Sequence, residues 1–144
     1  MLAANENNVN QFGNGLSFAG HVANYPVCWS YNIGIPGQES HDLTGSPVLI
    51  QIGDKDDYDE GVQQCENLIA SLSESDQSVT SLNIYKNSYH AWDRLQPVIT
   101  VFDPFSHLGA GGLVDIIPNP GKAFQSRENT LLFFKDAFKM EDIQ

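Results

Sequence analysis

Basic residues are scarce in this 144-residue chain: 7 lysines and arginines stand against 18 acidic residues, a formal net charge of −11. A surface of that sign repels phosphate backbones and anionic lipid headgroups, which sets aside nucleic acid and membrane surfaces as partners. Long apolar runs are also missing, since no stretch approaches the roughly 20 residues of a membrane helix, and the Asn-rich N-terminus has no basic residue to open a signal peptide. Cysteine is limited to Cys28 and Cys65, too few for a zinc site without partners and not in a C-x-x-C arrangement. Two readings stand for them: buried small apolar residues, or a mutual disulfide stapling the first strand to the first long helix. Localisation stays open with them, either cytoplasmic or, if an export signal lies upstream and the cysteines pair, exported.

What is present is the material of a folded α/β core, with 41% hydrophobic residues and aromatics throughout. LSFAGHVANY, from Leu16 to Tyr25, alternates ahead of Pro26 and predicts a strand. PVLIQIG from Pro47 is the short, nearly continuous apolar run of a strand buried on both faces. Val62, Cys65, Leu68, Ile69 and Leu72 recur at helical spacing, and a further strand is expected over Val79 to Tyr85 with Leu82 and Ile84 facing inward. Strand, helix and strand in that order predict a parallel pair with a right-handed crossover. Between Asp93 and Phe124, VITVF and GLVDII are separated by turn formers, as in a small hairpin. A terminal helix follows, with Ser126 as its expected cap and Leu131, Phe134 and Phe138 as the stripe it must bury. Neither an internal repeat nor a linker is visible. The expected organisation is one α/β domain over 1–144, with about three core strands in a mostly parallel sheet, flanking helices and an open sheet edge suited to pairing with another chain.

Chemistry is expected beyond the carboxyl ends of parallel strands. Gly53-Asp54-Lys55-Asp56-Asp57-Tyr58 follows one such strand and Tyr89-His90-Ala91-Trp92-Asp93 follows the next. A strand, G-x-x-D-D, a helix, a strand and Y-H-A-W-D together resemble the dienelactone hydrolase branch of the α/β-hydrolases. Ala19-Gly20-His21-Val22 leading to Tyr25-Pro26-Val27-Cys28, the cysteine at Cys65, Pro118-Asn119-Pro120 and Ser126-Arg127 extend the likeness over nearly the whole chain. The resemblance implies a partial α/β-hydrolase fold, its C-terminal half, with Asp56 as the triad acid and His90 as the general base in hydrolysis of a small ester or lactone. It implies no cofactor and no metal.

The nucleophile elbow, G-x-S-x-G or G-x-C-x-G between a strand and a helix, is missing from the sequence and is expected upstream of Met1, in the same or a separate polypeptide. Gly15-Leu16-Ser17-Phe18-Ala19 fits a relaxed version but enters a strand instead of a helix. Alone, the chain is expected to be nearly inert.

Rival readings are blander. The acidic residues Asp54 to Glu60 suit a solvated loop favouring the following helix through its dipole. They do not suit an EF-hand, since counting from Asp54 places Asp59 and Cys65 where Gly and Glu are needed. Gly109-Ala110-Gly111-Gly112 lacks the basic residue and helix of a phosphate loop and reads as a turn. His21 reads as structural, and His41 and His107 receive no role. Trp29, Tyr58 and Trp92 either line a substrate pocket or pack in the core. Two whole-chain alternatives remain: a non-catalytic interaction module derived from an α/β-hydrolase that binds itself or a partner through its sheet edge, and a flavodoxin-like domain, for which no phosphate-binding loop is visible.

Overall fold

The computed structural model describes residues 2–35 and 41–139. A short 3-10 turn, Leu2–Ala4, leads into helix α1 (Glu6–Phe12), and strand β1 (His21–Asn24) and helix α2 (Cys28–Asn32) follow. Strand β2 (Val48–Gly53), helices α3 (Gln63–Ser71) and α4 (Glu74–Ser78) and strand β3 (Thr80–Tyr85) form the centre of the chain. Strands β4 (Ile99–Asp103) and β5 (Gly112–Ile116) flank a helical turn, α5 (Ser106–Gly109), and the long helix α6 (Pro120–Ala137) closes the described residues. The three parallel strands lie in the order β1-β2-β3, and β4 and β5 form a separate antiparallel pair. This is a small α/β fold.

Every residue of β2 is buried, as its apolar run requires. Its one polar side chain, Gln51, is satisfied on all sides. Its Nε2 donates to Asn24 Oδ1 of β1 at 2.8 Å and to Thr130 Oγ1 of α6 at 3.0 Å, while its Oε1 accepts from the Tyr85 hydroxyl of β3. Tyr85 accepts in turn from Asn129 of α6. Below this polar chain lies the apolar core of Val48, Ile50, Ile52, Cys28, Cys65, Leu68 and Leu72.

Several expectations give way here. The first strand begins only at His21, because its partner begins after Pro47, which has no N–H, so the residues from Leu16 to Gly20 have no ladder to join. His21 itself lies in β1. The Asn-rich N-terminus, which sequence reading left unassigned, forms α1 with Asn5 as its cap, the side chain accepting from Asn8 N at 3.1 Å. In β3 Leu82 packs against the core, but Ile84 is 44% exposed. Ser126 lies inside α6 and not at its start; the cap is Asn119, which accepts from Lys122 N ahead of Pro120.

The buried side of α6 carries Ala123 and Ser126, with Thr130 bonded to Gln51; of the expected stripe Phe134 is half-buried, and Leu131 and Phe138 are exposed. Polar satisfaction of Gln51 and Tyr85 sets the helix's rotation, overriding the apolar pattern. Among the described residues, β1 and β3 each keep one edge without a strand partner, and no helix is long and apolar enough to cross a membrane.

Candidate active site

Because β2 and β3 run parallel, the turns after Gly53 and Tyr85 emerge at the same rim of the sheet. The two turns are laced together. Asp54 N donates to Tyr85 O, Lys55 N to Ser88 O at 3.0 Å, and Asn87 N to the Asp54 carboxylate at 2.6 Å. Gly53 allows this approach, since a Cβ there would lie 2.0 Å from Ser88 O. From the other side Asn119 clamps the second turn, its side-chain amide donating to Asn87 O and Ser88 Oγ and its backbone N–H to Trp92 O. The Pro-Asn-Pro segment thus supports the histidine turn as well as capping α6.

Held this way, His90 Nδ1 lies 2.9 Å from Asp56 Oδ2, with the Asp56 side chain 1% and the His90 side chain 16% exposed. The other carboxylate oxygen of Asp56 accepts from Tyr58 N at 2.9 Å, which fixes the rotamer. The imidazole sits between two aromatic rings, Tyr58 at 4.2 Å and Tyr25 edge-on at 4.7 Å between centroids. Tyr58 donates its hydroxyl to Asp103 at 2.8 Å, and Tyr25 donates to Asp93 at 3.3 Å. Burial and the neighbouring Asp103 carboxylate push the Tyr58 phenol up to about 12, so it stays protonated at neutral pH. Among the described residues Asp56 is the sole hydrogen-bond partner of the His90 ring.

No family model, curated protein or solved structure matches the chain.

The acidic segment does more than face solvent. Asp57 accepts from Asp115 N and ties the turn to β5, and Glu60 accepts from His107, whose other ring nitrogen meets Leu113 O at 2.9 Å. His107, given no role from sequence, therefore bridges the acid turn and the hairpin, and these contacts raise its pKa above the usual imidazole value. Asp59 is buried and accepts from the Cys28 and Trp29 backbone N–H groups at 2.8 Å each, capping α2 instead of the helix that follows it.

Cys28 and Cys65 are joined as a disulfide, with the Asp59 carboxylate beside Cys65. The cross-link joins α2 to α3, where a strand-to-helix staple was expected, because the chain turns into a helix directly after Val27. Sulfurs bonded to each other are not available to the Cys28, Asp59 and Cys65 cluster as thiolate metal ligands.

Of the three aromatic pocket candidates, Tyr58 and Trp29 line a cleft of about 390 Å³ beside the histidine, together with Val27, Ile35, Asp103 and Phe105. Trp92 does not. It is fully buried, packed against Tyr25 and Tyr85, and belongs to the core. Ser17 is exposed in an irregular segment ahead of β1, without the strand-to-helix turn of a nucleophile elbow. The Gly109 to Gly112 segment forms the turn into β5, with Gly109 and Gly111 at positive φ. Asp59, Asp103, Phe105 and Asn119 were not singled out from sequence as site residues. Of these only Asn119 carries a local signal, the Asn-Pro pair of a helix start, although the cap was expected at Ser126.

Burial of Asp59 outweighs its two backbone hydrogen bonds and raises its pKa from 3.8 to about 6. Between those values the folded protein holds a proton that the unfolded chain has released. The contribution therefore favours folding fully below the unfolded pKa and is lost as pH rises through the folded one. Unfolding free energy of the native protein minus that of Asp59→Asn should fall by on the order of 2 kcal/mol from about pH 4 to about pH 7. Urea titrations at both pH values measure it, and a difference independent of pH would contradict the assignment.

Proposed function

We propose that this chain supplies the acid and base of a dienelactone hydrolase-type ester or lactone hydrolase within the α/β-hydrolase superfamily, acting with a nucleophile contributed by another segment. The observation that carries the reading is the 2.9 Å contact between His90 Nδ1 and the buried Asp56 carboxylate, at the rim where parallel sheets carry chemistry. With Nδ1–H donated to Asp56, Nε2 accepts the proton of an attacking hydroxyl or thiol as its oxygen or sulfur bonds to the ester carbonyl carbon. The same proton passes to the leaving alkoxide when the tetrahedral intermediate collapses, and water repeats the sequence to free the acid. Asp56 holds the tautomer and stabilises the imidazolium formed between the two transfers.

A substituted nucleophile tests this. With an activated phenyl ester and a small alkanethiol, the chain should accelerate acyl transfer to sulfur above the protein-free rate, and His90→Ala and Asp56→Ala should each abolish the acceleration. Equal rates for all three proteins would remove the reading. Without the thiol, no covalent labelling by serine- or cysteine-directed active-site probes is expected. Ester turnover by the chain alone that disappears in His90→Ala would contradict the need for an outside nucleophile.

A second reading, an interaction module that binds itself or a partner, is favoured by one observation. Phe124, Leu131 and Leu132 of α6, Phe138 just after it and Ile84 of the edge strand β3 present large apolar side chains to solvent. Sedimentation of the chain at rising concentration separates the two, since the hydrolase reading does not require self-association.

A further inference from the structure

The cleft beside His90 has a consistent chemical character. Its walls are mainly aromatic and aliphatic: Trp29, Tyr58 and Phe105 line it with Val27, Ile35 and the small polar Ser30, and Phe105 is 65% exposed. Its volume of about 390 Å³ suits one ring or a short branched chain. Among the described lining residues, the single ionisable group other than the Tyr58 phenol is Asp103, and no lysine or arginine is present.

Asp103 is committed to its charge. Hydrogen bonds from Phe105 N at 2.8 Å and from the Tyr58 hydroxyl hold its carboxyl below the usual range. Tyr58 meanwhile keeps its proton and remains a neutral aromatic face. Three aromatic rings and a fixed carboxylate line one cleft, where a cation on a ring face is attracted both by the ring quadrupole and by the formal charge, whereas an anion is opposed by both. The net charge of −11 likewise draws cations towards the surface as a whole.

The geometry points to a cationic ligand for this cleft: an ester bearing an ammonium group, with the aromatic walls around the cation and the scissile carbonyl towards His90. The inference rests on the hydrolase reading for the word ester. The binding preference stands apart from it. Tyr58 links the two parts of the site, since one ring packs on the imidazole and also lines the cleft. His90 itself does not line the cleft, so the carbonyl end of a substrate held by its ammonium group at Asp103 has to pass the Tyr58 ring to meet the base.

The test uses three small probes of similar size, benzyltrimethylammonium, benzyl alcohol and benzoate, titrated into the full chain while the Trp29 indole and His90 imidazole resonances are followed by NMR. The cation should saturate with an affinity roughly tenfold above that of the alcohol, the range expected for a partly desolvated cation on aromatic faces, and benzoate should not saturate. Asp103→Asn should lower the affinity for the cation severalfold, leaving only what the rings contribute, and leave the alcohol unchanged, and Phe105→Ala, at an exposed position, should weaken both. Equal affinity for cation and alcohol in the native protein would overturn the inference. So would a cation preference undiminished in Asp103→Asn, because the carboxylate would then take no part in it. A preference that depends on Asp103 but leaves the His90 resonances unmoved would uphold the cationic cleft and count against the hydrolase reading, so the two fail separately.

Discussion

Gly53→Ala should cost this protein about 3 kcal/mol or more of stability, the upper range for forcing a methyl group into packed structure, and should remove the Asp56–His90 contact in whatever folds. The added Cβ would lie 2.0 Å from Ser88 O and 2.7 Å from Ser88 C, atoms of backbone with no rotamer to escape into. Relief requires the turns after β2 and β3 to part. Parting them breaks the bonds from Lys55 N and Asn87 N that hold His90 opposite its carboxylate. Two measurements report it, the denaturant midpoint and the downfield imidazole N–H resonance of His90, which Asp56→Ala should also abolish. Gly121→Ala is the control. Among the described residues its Cβ would meet only Asn119 Oδ1, at 3.8 Å, and it lies in α6, so exchanging a glycine for alanine there should stabilise by about 0.5 to 1 kcal/mol. A Gly53→Ala protein as stable as the native one, with the His90 resonance intact, would show that the turns are not packed as described.

Removing the disulfide is the other large effect. The cross-link closes 37 residues of chain separation, from α2 across β2 and the acid turn to α3, and the chain-entropy relation for a loop of that size gives roughly 4 kcal/mol. Cys28→Ala with Cys65→Ala should lower the unfolding free energy by about that amount, and a thiol reductant should reproduce the loss in the native sequence. The damage is expected to concentrate at α2, which has five residues and depends on Asp59 and the cross-link for its position. Trp29 is part of that helix and of the cleft wall, so probe binding should weaken together with stability. An unchanged midpoint in the double variant would mean that packing alone fixes α2 on α3.

What was legible in the sequence follows from the range of the signals involved. The buried β2, the α3 stripe, the parallel crossover to β3 and the β4–β5 hairpin are each written in local apolar patterns and turn residues, and each appears in the fold. The pairing of Asp56 with His90 was legible as two turns at successive parallel strand ends, and the side chains do meet. Misread elements depend on distant partners. The start of β1 is set by Pro47, the rotation of α6 by Gln51 and Tyr85, and the burial of Asp59 by α2 amides thirty residues earlier. No window of sequence contains both members of such a pair. Trp92 lies beside the histidine in sequence and looked like a pocket residue, yet Tyr25 and Tyr85 enclose it.

The amide of Gln51 touches β1, β3 and α6 at once, and this makes it a gauge of alignment for the whole sheet. Slide any one of those three elements by a single position and the amide loses a matched partner inside the protein, where no solvent replaces it. A leucine of similar bulk at position 51 would fill the space yet accept every misalignment equally. The polar residue in the middle of the apolar strand thus trades some burial energy for the ability to reject near-native arrangements, including those that would leave position 90 one residue away from its carboxylate.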